Sequence, residues 1–350
     1  MRSALHNDQP NFHRKPEEAN SGLWYDKFCN MWDIKESDNN TSLSHWTLGT
    51  IKEDWIKSVA NSPDDNGGRM VVGDQGLLRS INRRMERLAD LHLNVKPLLF
   101  STQWRFVTGL GREHPAENGF AWHHTLGTPY LPGSSIKGMM RAWAKQWANV
   151  GDTVTDRIFG PDRAGCVGSV IFYDALPIGP VQLEVDVMTP HYAPWYGNGE
   201  TPGDWYDPIP IPFLVVAPEQ TFQFIVAPRK SDENQANDDV STVRDWLKEA
   251  LEWIGAGAKT AVGYGRFGEV KKTCPWVDEK LKEIAKTNHC PPEEALRGRV
   301  LAKAWEELDD ASLKAEALED IRSRWQEKEW WETPQGKAMK QAKNIYDGED

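Results

Sequence analysis

The chain has 350 residues, of which 39% are hydrophobic and 27% charged, and its formal net charge is −11. This length allows one large domain or two ordinary ones, and the acidic balance argues against indiscriminate binding of nucleic acid while leaving room for a local basic groove. The cysteines include no Cys-x-x-Cys pair, so we expect reduced thiols, no metal and no cofactor. We find neither a secretory signal pattern nor a run of about 18 apolar residues, so we expect a cytoplasmic protein without a membrane span.

The N-terminal part is predicted to be a polar arm followed by helices. Residues 1–20 are polar and indicate a loose arm, and residues 62–68 (SPDDNGG) indicate a loop. Residues 75–92 are predicted to be a helix because leucine, isoleucine and methionine recur there at helical spacing. Its other face carries four arginines, Arg79, Arg83, Arg84 and Arg87. These form either a solvated face paired with acids or a contact surface for RNA or a neighbouring protein.

A strand or a broken pair of strands is predicted over 95–108, and a glycine-bearing loop follows over 109–119. That loop begins with Gly109, Gly111 and Arg112. These three residues are candidates for binding RNA, a role that the family resemblance given below implies.

A second candidate lies where residues 131–138 (LPGSSIKG) lead into a helix that continues through Trp147. Ser134 or Ser135 is predicted to cap this helix, and the free N–H groups of its first turn, from Gly133 onward, form an anion site. Lys137 and Arg141 are four residues apart and lie on one face near this end. Since cations at a helix N-terminus oppose the macrodipole, we expect a phosphate between them; ordinary exposed charges are the alternative.

Strands are predicted over 167–175 and 181–189. Residues 190–212 form a long loop rich in proline, glycine and aromatic residues, and loops of this length are usually functional. Its central aromatic residues are His191, Tyr192, Trp195 and Tyr196. Residues 213–217 and 221–226 are predicted to pair as a hairpin, and a polar connection over 231–239 precedes a helix over 240–251.

Residues 255–267 (GAGAKTAVGYGRF) are the most informative segment. Successive N–H groups in such a loop can cradle an anion, cationic side chains add charge, and aromatic rings offer faces for stacked bases. The candidate binding residues here are Gly255, Gly257, Lys259, Thr260, Gly263, Tyr264, Gly265 and Arg266. A Walker A loop is disfavoured because Ala258 precedes the lysine, and a dinucleotide fingerprint is disfavoured because the GxGxxG pattern follows a helix rather than a strand. An ordinary glycine-rich turn remains the alternative.

The order of these elements is strand, helix, strands, helix, strand, which is the split βαβ pattern of ferredoxin-like and RRM-like folds. From residue 291 the pattern is helical and predicts an appended helical hairpin. We therefore expect an α+β fold with three parts: an N-terminal arm and helical region over 1–93, an RRM-like core over 94–272, and a helical extension over 273–350. Most of the 17 tryptophans are expected in the core or in subunit contacts.

Three segments together resemble the motifs of the RAMP superfamily of CRISPR proteins. They are Gly109 to Gly111, residues 128–138 with Arg141, and the loop over 255–267. Residues 186–192 (DVMTPHY), followed by 194–196 (PWY), resemble the family of sixth subunits of Cmr (type III-B) effector complexes. The resemblance covers about residues 100–270, and the helical C-terminus departs from it.

The resemblance implies an RNA-binding subunit that holds the 3′ part of the guide RNA within a complex of other Cmr-type subunits. It also implies a protruding hairpin, the thumb, that separates bases of the duplex between guide and target RNA, and residues 190–212 are our candidate for it. No catalytic residue is expected, because the loop over 109–133 has no aspartate, only Glu113 and Glu117. The alternative is an endoribonuclease with a histidine as general base. The available histidines are His114, His123, His124 and His191.

Overall fold

The computed structural model describes residues 19–29, 33–35, 45–47, 52–60, 71–93, 95–161, 166–203, 205–230, 234–270, 274–326 and 328–348. The chain divides into two compact units, Met1–Val270 and Lys271–Asp350. Most of the predicted arm and the predicted loop over 62–68 lie outside the described residues. The three-part division into 1–93, 94–272 and 273–350 stays a prediction.

The described part of the first unit alternates helices and short strands. The helices are α1 Ser21–Lys27, α2 Lys52–Ala60, α3 Gln75–Leu93, α4 Gly133–Gln146, α5 Asp152–Phe159, α6 Ala193–Asn198 and α7 Asn234–Trp253. The strands are β1 Asp33–Lys35, β2 His45–Thr47, β3 Val71–Val72, β4 Leu98–Thr102, β5 Trp122–His123, β6 Thr128–Pro129, β7 Val170–Phe172, β8 Leu176–Pro177, β9 Val181–Met188, β10 Ile211–Val216, β11 Thr221–Phe224, β12 Val226–Pro228 and β13 Phe267–Glu269.

A four-stranded antiparallel sheet with the order β13-β4-β11-β8 lies at the centre of this unit. In chain order these are its fourth, first, third and second strands; α4 lies in the connection between the first two and α7 between the last two. This arrangement is the split βαβ topology of ferredoxin-like folds. The predicted α+β fold with a ferredoxin-like core is therefore confirmed.

The core of the sheet is aromatic. Alternate residues of β4 point inward, and Phe100 meets the edge of Phe224 at a ring-centroid distance of 5.3 Å. Phe267 of β13 makes edge contacts with both Phe222 and Phe224 at 5.8 Å. Such edge-to-face pairs match the ring quadrupoles and fix the register of neighbouring strands. Helix α7 covers this core with a fully buried stripe that includes Val243 and Leu247.

The predicted hairpin of 213–217 with 221–226 is wrong. Strand β10 pairs with β9, from Ile211 opposite Met188 to Val216 opposite Leu183, in a separate sheet with the order β10-β9-β3. The turn between β10 and β11 is bonded to Thr102 instead, whose carbonyl accepts from the Glu219 amide at 2.7 Å and whose hydroxyl accepts from the Gln220 amide at 2.9 Å. Adjacent strands therefore enter different sheets. In addition, α7 begins at Asn234, earlier than predicted.

The described residues of the second unit contain five helices where a hairpin was predicted. They are α8 Pro275–Asn288, α9 Pro292–Leu296, α10 Arg299–Glu306, α11 Ala311–Gln326 and α12 Gly336–Asp347. Its own core packs the rings of Trp305, Trp325, Trp331 and Tyr346. Helix α10 faces this core through Leu301, which is fully buried, while the neighbouring Val300 is 52% exposed. No helix among the described residues is both long and apolar enough to cross a bilayer.

Candidate nucleic-acid interface

The loop over 255–267 folds tightly back on its own backbone. Gly255, Gly257 and Gly265 have φ values of 74°, 87° and 71°, in the left-handed region. A Cβ at Gly265 would lie 1.9 Å from the Ala256 carbonyl oxygen, and one at Gly257 would lie 2.2 Å from the Val107 carbonyl oxygen. The chain's own packing thus requires these glycines. Gly263 differs, because a Cβ there would meet no atom within 4 Å, although its φ is 96°.

The same loop is fastened to the extended segment that follows β4. The Gly265 amide donates to the Arg105 carbonyl at 2.8 Å, and the Ala258 amide donates to the Val107 carbonyl at 2.9 Å. The Arg266 carbonyl accepts from the Gln103 amide at 2.8 Å. Three main-chain bonds along one edge hold the loop in place, so the turn at its tip is presented by a rigid frame.

The tip is a single 3-10 turn, Thr260–Val262, preceded by Lys259 in the left-handed conformation at φ 58°. The Lys259 ammonium group lies 5.4 Å from the centroid of the Phe213 ring, a cation–π contact. Among the described residues no carboxylate lies within ion-pair distance of this ammonium group. Lys259 is therefore held at the tip with its charge unneutralised.

Tyr264 ties the loop to β9. Its hydroxyl donates to an oxygen of Asp186 at 2.5 Å, and Asp186 also accepts from Arg105 at 3.1 Å. Burial, and then the hydrogen bond to Asp186, raise the pKa of Tyr264 to about 12. Arg105 donates as well to Glu184 at 2.8 Å, and that hydrogen bond raises the pKa of its guanidinium above the usual value. Tyr264 thus acts as a neutral donor at neutral pH, and Arg105 is already committed to two acids.

The start of α4 lies beside β7, because a Cβ at Gly133 would be 2.3 Å from the Phe172 carbonyl oxygen. The predicted serine caps are wrong: the N-cap residue is Pro132 and no side chain caps there. Instead the carboxylate of Asp174 accepts from the Gly133 amide at 2.7 Å. The negative charge expected at this helix start is supplied by the chain itself.

The cations of α4 divide into one exposed and one engaged side chain. Lys137 is exposed, as are Ser134 and Ser135. Arg141 donates to the Gly160 carbonyl and lies 3.7 Å from the carboxylate of Asp156. Of the two predicted phosphate ligands on this helix, Lys137 alone points its charge into solvent.

The loop over 109–119 adjoins both of these segments. Gly109 has φ 75°, and a Cβ there would lie 2.5 Å from the Ala121 amide nitrogen. Gly111 and the Arg112 side chain are exposed. The preceding residue, Thr108, donates its hydroxyl to the Tyr130 carbonyl at 3.1 Å, which ties this loop to the entry of α4. The three predicted segments therefore meet along residues 105–109.

The connection over 190–212 joins two strands that pair with each other, so it forms the end of an antiparallel ribbon. It contains the short helix α6, where an irregular loop was predicted. Its aromatic side chains are exposed, with Trp195 at 47%, Tyr196 at 80% and Trp205 at 73%; His191 and Tyr192 are also exposed. At the base of the ribbon, Phe213 lies 6.1 Å from the Tyr264 ring, so this connection rises next to the glycine-rich loop.

The four candidate histidines lie in different surroundings. His114 is buried, with its side chain 4% exposed; its Nδ1 accepts from the Ala116 amide and its Nε2 donates to the Tyr25 carbonyl. Burial lowers the pKa of His114 and also that of His123. His124 and His191 are exposed. No group of three or more His, Cys, Asp or Glu side chains in the described part of the chain is placed to hold a metal ion.

Sequence reasoning missed the residues that position the site. Asp186 was part of a recognised motif, but its role as the acceptor for Tyr264 follows only from the pairing of β9 with β10. Arg105 and Asp174 carry no local pattern, because their partners are 79 and 41 positions away. Phe213 appeared only as an apolar strand residue, and its contact with Lys259 depends on the loop geometry.

Comparison with known proteins assigns the family. The family model described as the RAMP superfamily matches residues 55–268, more than half of the chain. The chain belongs to the RAMP superfamily. The CRISPR system Cmr subunit Cmr6 of Pyrococcus furiosus is 34% identical over 233 residues, covering 49% of this RAMP chain and 66% of that protein. The Cmr6 subunit of Saccharolobus solfataricus is 28% identical over 153 residues, covering 43% and 48%. The resemblance to sixth subunits is thus confirmed.

These matches span just under two thirds and about half of the length of the curated relatives. A chain in the cryo-EM structure of the type III-B Cmr-beta bound to cognate target RNA aligns with a TM-score of 0.50 at 22% identity. That alignment covers 64% of this RAMP chain and 72% of the other. The similarity shows a shared fold.

Proposed function

We propose that this chain is a Cmr6-type subunit of a type III-B CRISPR effector complex and binds guide RNA without cleaving it. It holds the 3′ part of the guide and the duplex of guide with target RNA, and it contacts other Cmr-type subunits in the cytoplasm. The family membership and the two Cmr6 relatives support this assignment.

The observation that carries the RNA-binding role is the meeting of three loops along residues 105–109. The tip of the glycine-rich loop holds Lys259 against Phe213, and Arg112 and Lys137 are exposed on the two neighbouring segments. Arg105 is neutralised by Glu184 and Asp186. The cations without an ion-pair partner therefore lie on the two loops and on the first turns of α4, where they can contact phosphates without reading bases.

The main-chain amides and the lysine at the tip of the glycine-rich loop are suited to binding a sugar-phosphate backbone. The amides of Thr260 and Ala261 open the 3-10 turn and have no main-chain acceptor among the described residues. Lys259 lies beside them. Together they form a small concave donor surface of the kind that binds oxyanions.

Removal of the Lys259 charge tests this role. In Lys259→Ala, binding to single-stranded RNA should weaken across sequences, and the slope of log affinity against log salt should flatten by roughly 0.7, the value for one phosphate contact on a single strand. Lys145→Ala is the matched control, because Lys145 already pairs with Asp152 at 3.4 Å. An unchanged slope in Lys259→Ala would remove this lysine from the contact surface.

The ribbon end over 190–212 is our proposed thumb. Its exposed tryptophan and tyrosine rings can stack on bases, and its base adjoins the glycine-rich loop through Phe213. Replacing residues 192–209 with a short Gly-Ser turn should weaken binding of the guide–target duplex more than binding of guide alone. The reverse ranking would argue against a thumb.

An endoribonuclease is the second candidate, since the chain offers two exposed histidines, His124 and His191. We propose a non-catalytic subunit because the buried His114 has both ring nitrogens occupied and because Nδ1 of His123 is engaged by the Thr125 hydroxyl and the Leu126 amide. Incubation of the purified chain with labelled guide precursor, with and without Mg²⁺, should leave the RNA intact. Cleavage that disappears in His124→Ala would favour the enzyme.

A further inference from the structure

We infer that α3 carries a second phosphate-binding surface, the arginine face, made of Arg79, Arg83, Arg84 and Arg87. Its ligand is the sugar-phosphate backbone of RNA that runs on from the loop surface. This inference rests on the proposed function of RNA binding, but it concerns a different element and different side chains.

The four arginines occupy one side of the helix. Arg79, Arg83 and Arg87 follow each other at intervals of four residues, so they form a row that spans about 12 Å along the axis. Arg84 lies beside this row. On the opposite side are the buried residues Leu78, Asn82 and Ala89. The arginine face therefore points directly away from the packed face of α3.

Helix α3 is firmly positioned. The Asp74 side chain accepts from the Leu77 amide at 2.7 Å and so caps its first turn. In the middle of the helix, the Asn82 side chain donates to the Pro177 carbonyl at 2.9 Å and anchors α3 to β8. Leu78 packs with Leu126 and Leu176 in a small separate cluster. These three contacts fix the helix axis, so the backbone positions of the arginine row are fixed relative to the rest of the unit.

The charge of this face is not neutralised within the described structure. All four arginines are exposed, and none of their guanidinium groups forms an ion pair or a hydrogen bond with another described residue. Glu86 and Asp90 lie on the same side of the helix as the row, and neither forms an ion pair with an arginine there. In a chain of net charge −11, a row of guanidinium groups without internal partners is available to an external anion.

The position of α3 favours RNA over an acidic protein as that anion. The cluster that holds the first turn of α3 also includes Tyr130 at its edge, and the Tyr130 carbonyl accepts from Thr108 of the loop surface. The packed face of α3 is thus tied to the proposed RNA site, and the arginine face lies on the exposed side of the same helix. Guanidinium groups bind phosphates in a bidentate manner, and a 12 Å row matches about three to four phosphates of one duplex strand.

The test is the salt dependence of binding between the full chain and a fluorescein-labelled single-stranded RNA of mixed sequence. In the triple variant Arg79→Gln, Arg83→Gln and Arg87→Gln, affinity at low salt should fall about tenfold or more, and the slope of log affinity against log salt should flatten by about 2. The matching triple Lys variant should keep the slope. Lys282→Gln, Lys286→Gln and Lys340→Gln, which remove three exposed charges from α8 and α12, should change neither value.

The outcomes separate this inference from the proposed function. If the triple Gln variant keeps wild-type affinity and slope while Lys259→Ala weakens binding, the arginine face does not bind RNA and the loop site stands. If the wild-type chain does not bind the RNA at all, both proposals fall. If the variant keeps RNA affinity and loses binding to polyglutamate, the face serves an acidic protein and the inference is wrong. Should the Gln variant fail to fold, the Lys variant and single Arg83→Gln carry the same measurement.

Discussion

At the scale of single residues, the glycines of the loop over 255–267 show how much of the site could be predicted from the sequence. The pattern of residues 255–267 correctly indicated a special backbone, because only glycine adopts positive φ at little cost. It also indicated close approach to a ligand. The structure shows instead that carbonyl oxygens of the chain itself leave no room for a Cβ at Gly257 or Gly265. The carbonyl of Val107 is distant in sequence from Gly257, and the carbonyl of Ala256 approaches Gly265 only because the loop folds back. A local pattern cannot distinguish these two reasons for a glycine.

Two alanine substitutions separate them. Gly265→Ala should destabilise the first unit by about 3 kcal/mol or more, because the new Cβ would collide with the Ala256 carbonyl and φ is positive. Gly263→Ala, with positive φ but open space, should cost only about 1 kcal/mol. Urea unfolding of both variants measures the difference. Equal losses would contradict the packing role of Gly265.

His114 predicts a specific pH dependence of stability. Burial lowers its pKa in the folded chain below the ordinary histidine value of 6.5, so the unfolded chain takes up a proton that the folded chain resists. Its contribution is therefore complete above pH 6.5 and is lost as pH falls below that value. The difference in unfolding free energy between wild type and His114→Gln should shrink on acidification, by at most about 1.4 kcal/mol per pH unit.

Unfolding at several pH values between neutral and mildly acidic checks this prediction. His123 has a pKa shifted in the same direction, and it is present in both proteins, so the comparison isolates His114. A difference that grows on acidification would show that His114 is charged in the folded chain, contrary to its neutral hydrogen bonds with Ala116 and Tyr25.

At the scale of elements, the periodicity of apolar residues and the order of the elements were sufficient to predict the central sheet and its two helices. The spacing of apolar residues located α3, helices were also predicted at α4 and over the C-terminal part of α7, and the chain order predicted the split βαβ topology. Pairing was harder. Strand β10 follows the pattern of a hairpin with β11, but the Thr102 hydroxyl and carbonyl take the turn amides, and these belong to a residue more than a hundred positions away. The prediction of the cap of α4 failed for the same reason, since the cap is Asp174, which lies in the connection between β7 and β8.

The cap of α4 can be tested directly. Asp174→Ala should lower the unfolding free energy by about 1 kcal/mol, because the Gly133 amide loses its acceptor and the helix start loses a negative charge. Ser134→Ala and Ser135→Ala should each change it by less than about 0.5 kcal/mol, as neither hydroxyl caps the helix. Thermal unfolding of the three variants decides between the caps. A larger loss in either serine variant would restore the sequence-based prediction.

At the scale of the whole molecule, each unit has its own hydrophobic core. The first contains the ferredoxin-like sheet, the ribbon of β9 and β10, and all of the candidate RNA-binding residues. The second is a five-helix unit rich in tryptophan. Sequence patterns predicted its helical character, but not how many helices it contains, because short helices such as α9 and α10 are separated by only Arg297 and Gly298.

The most direct measurement is ultraviolet crosslinking of the full chain to bound RNA, followed by mapping of the modified peptides. Crosslinks should fall on the glycine-rich loop over 255–267 and on the neighbouring segments at 109–112 and 131–138, with Tyr264 as a favoured aromatic site. Crosslinks confined to other surfaces, with these three segments unmodified, would contradict the claim that they form the RNA-binding site.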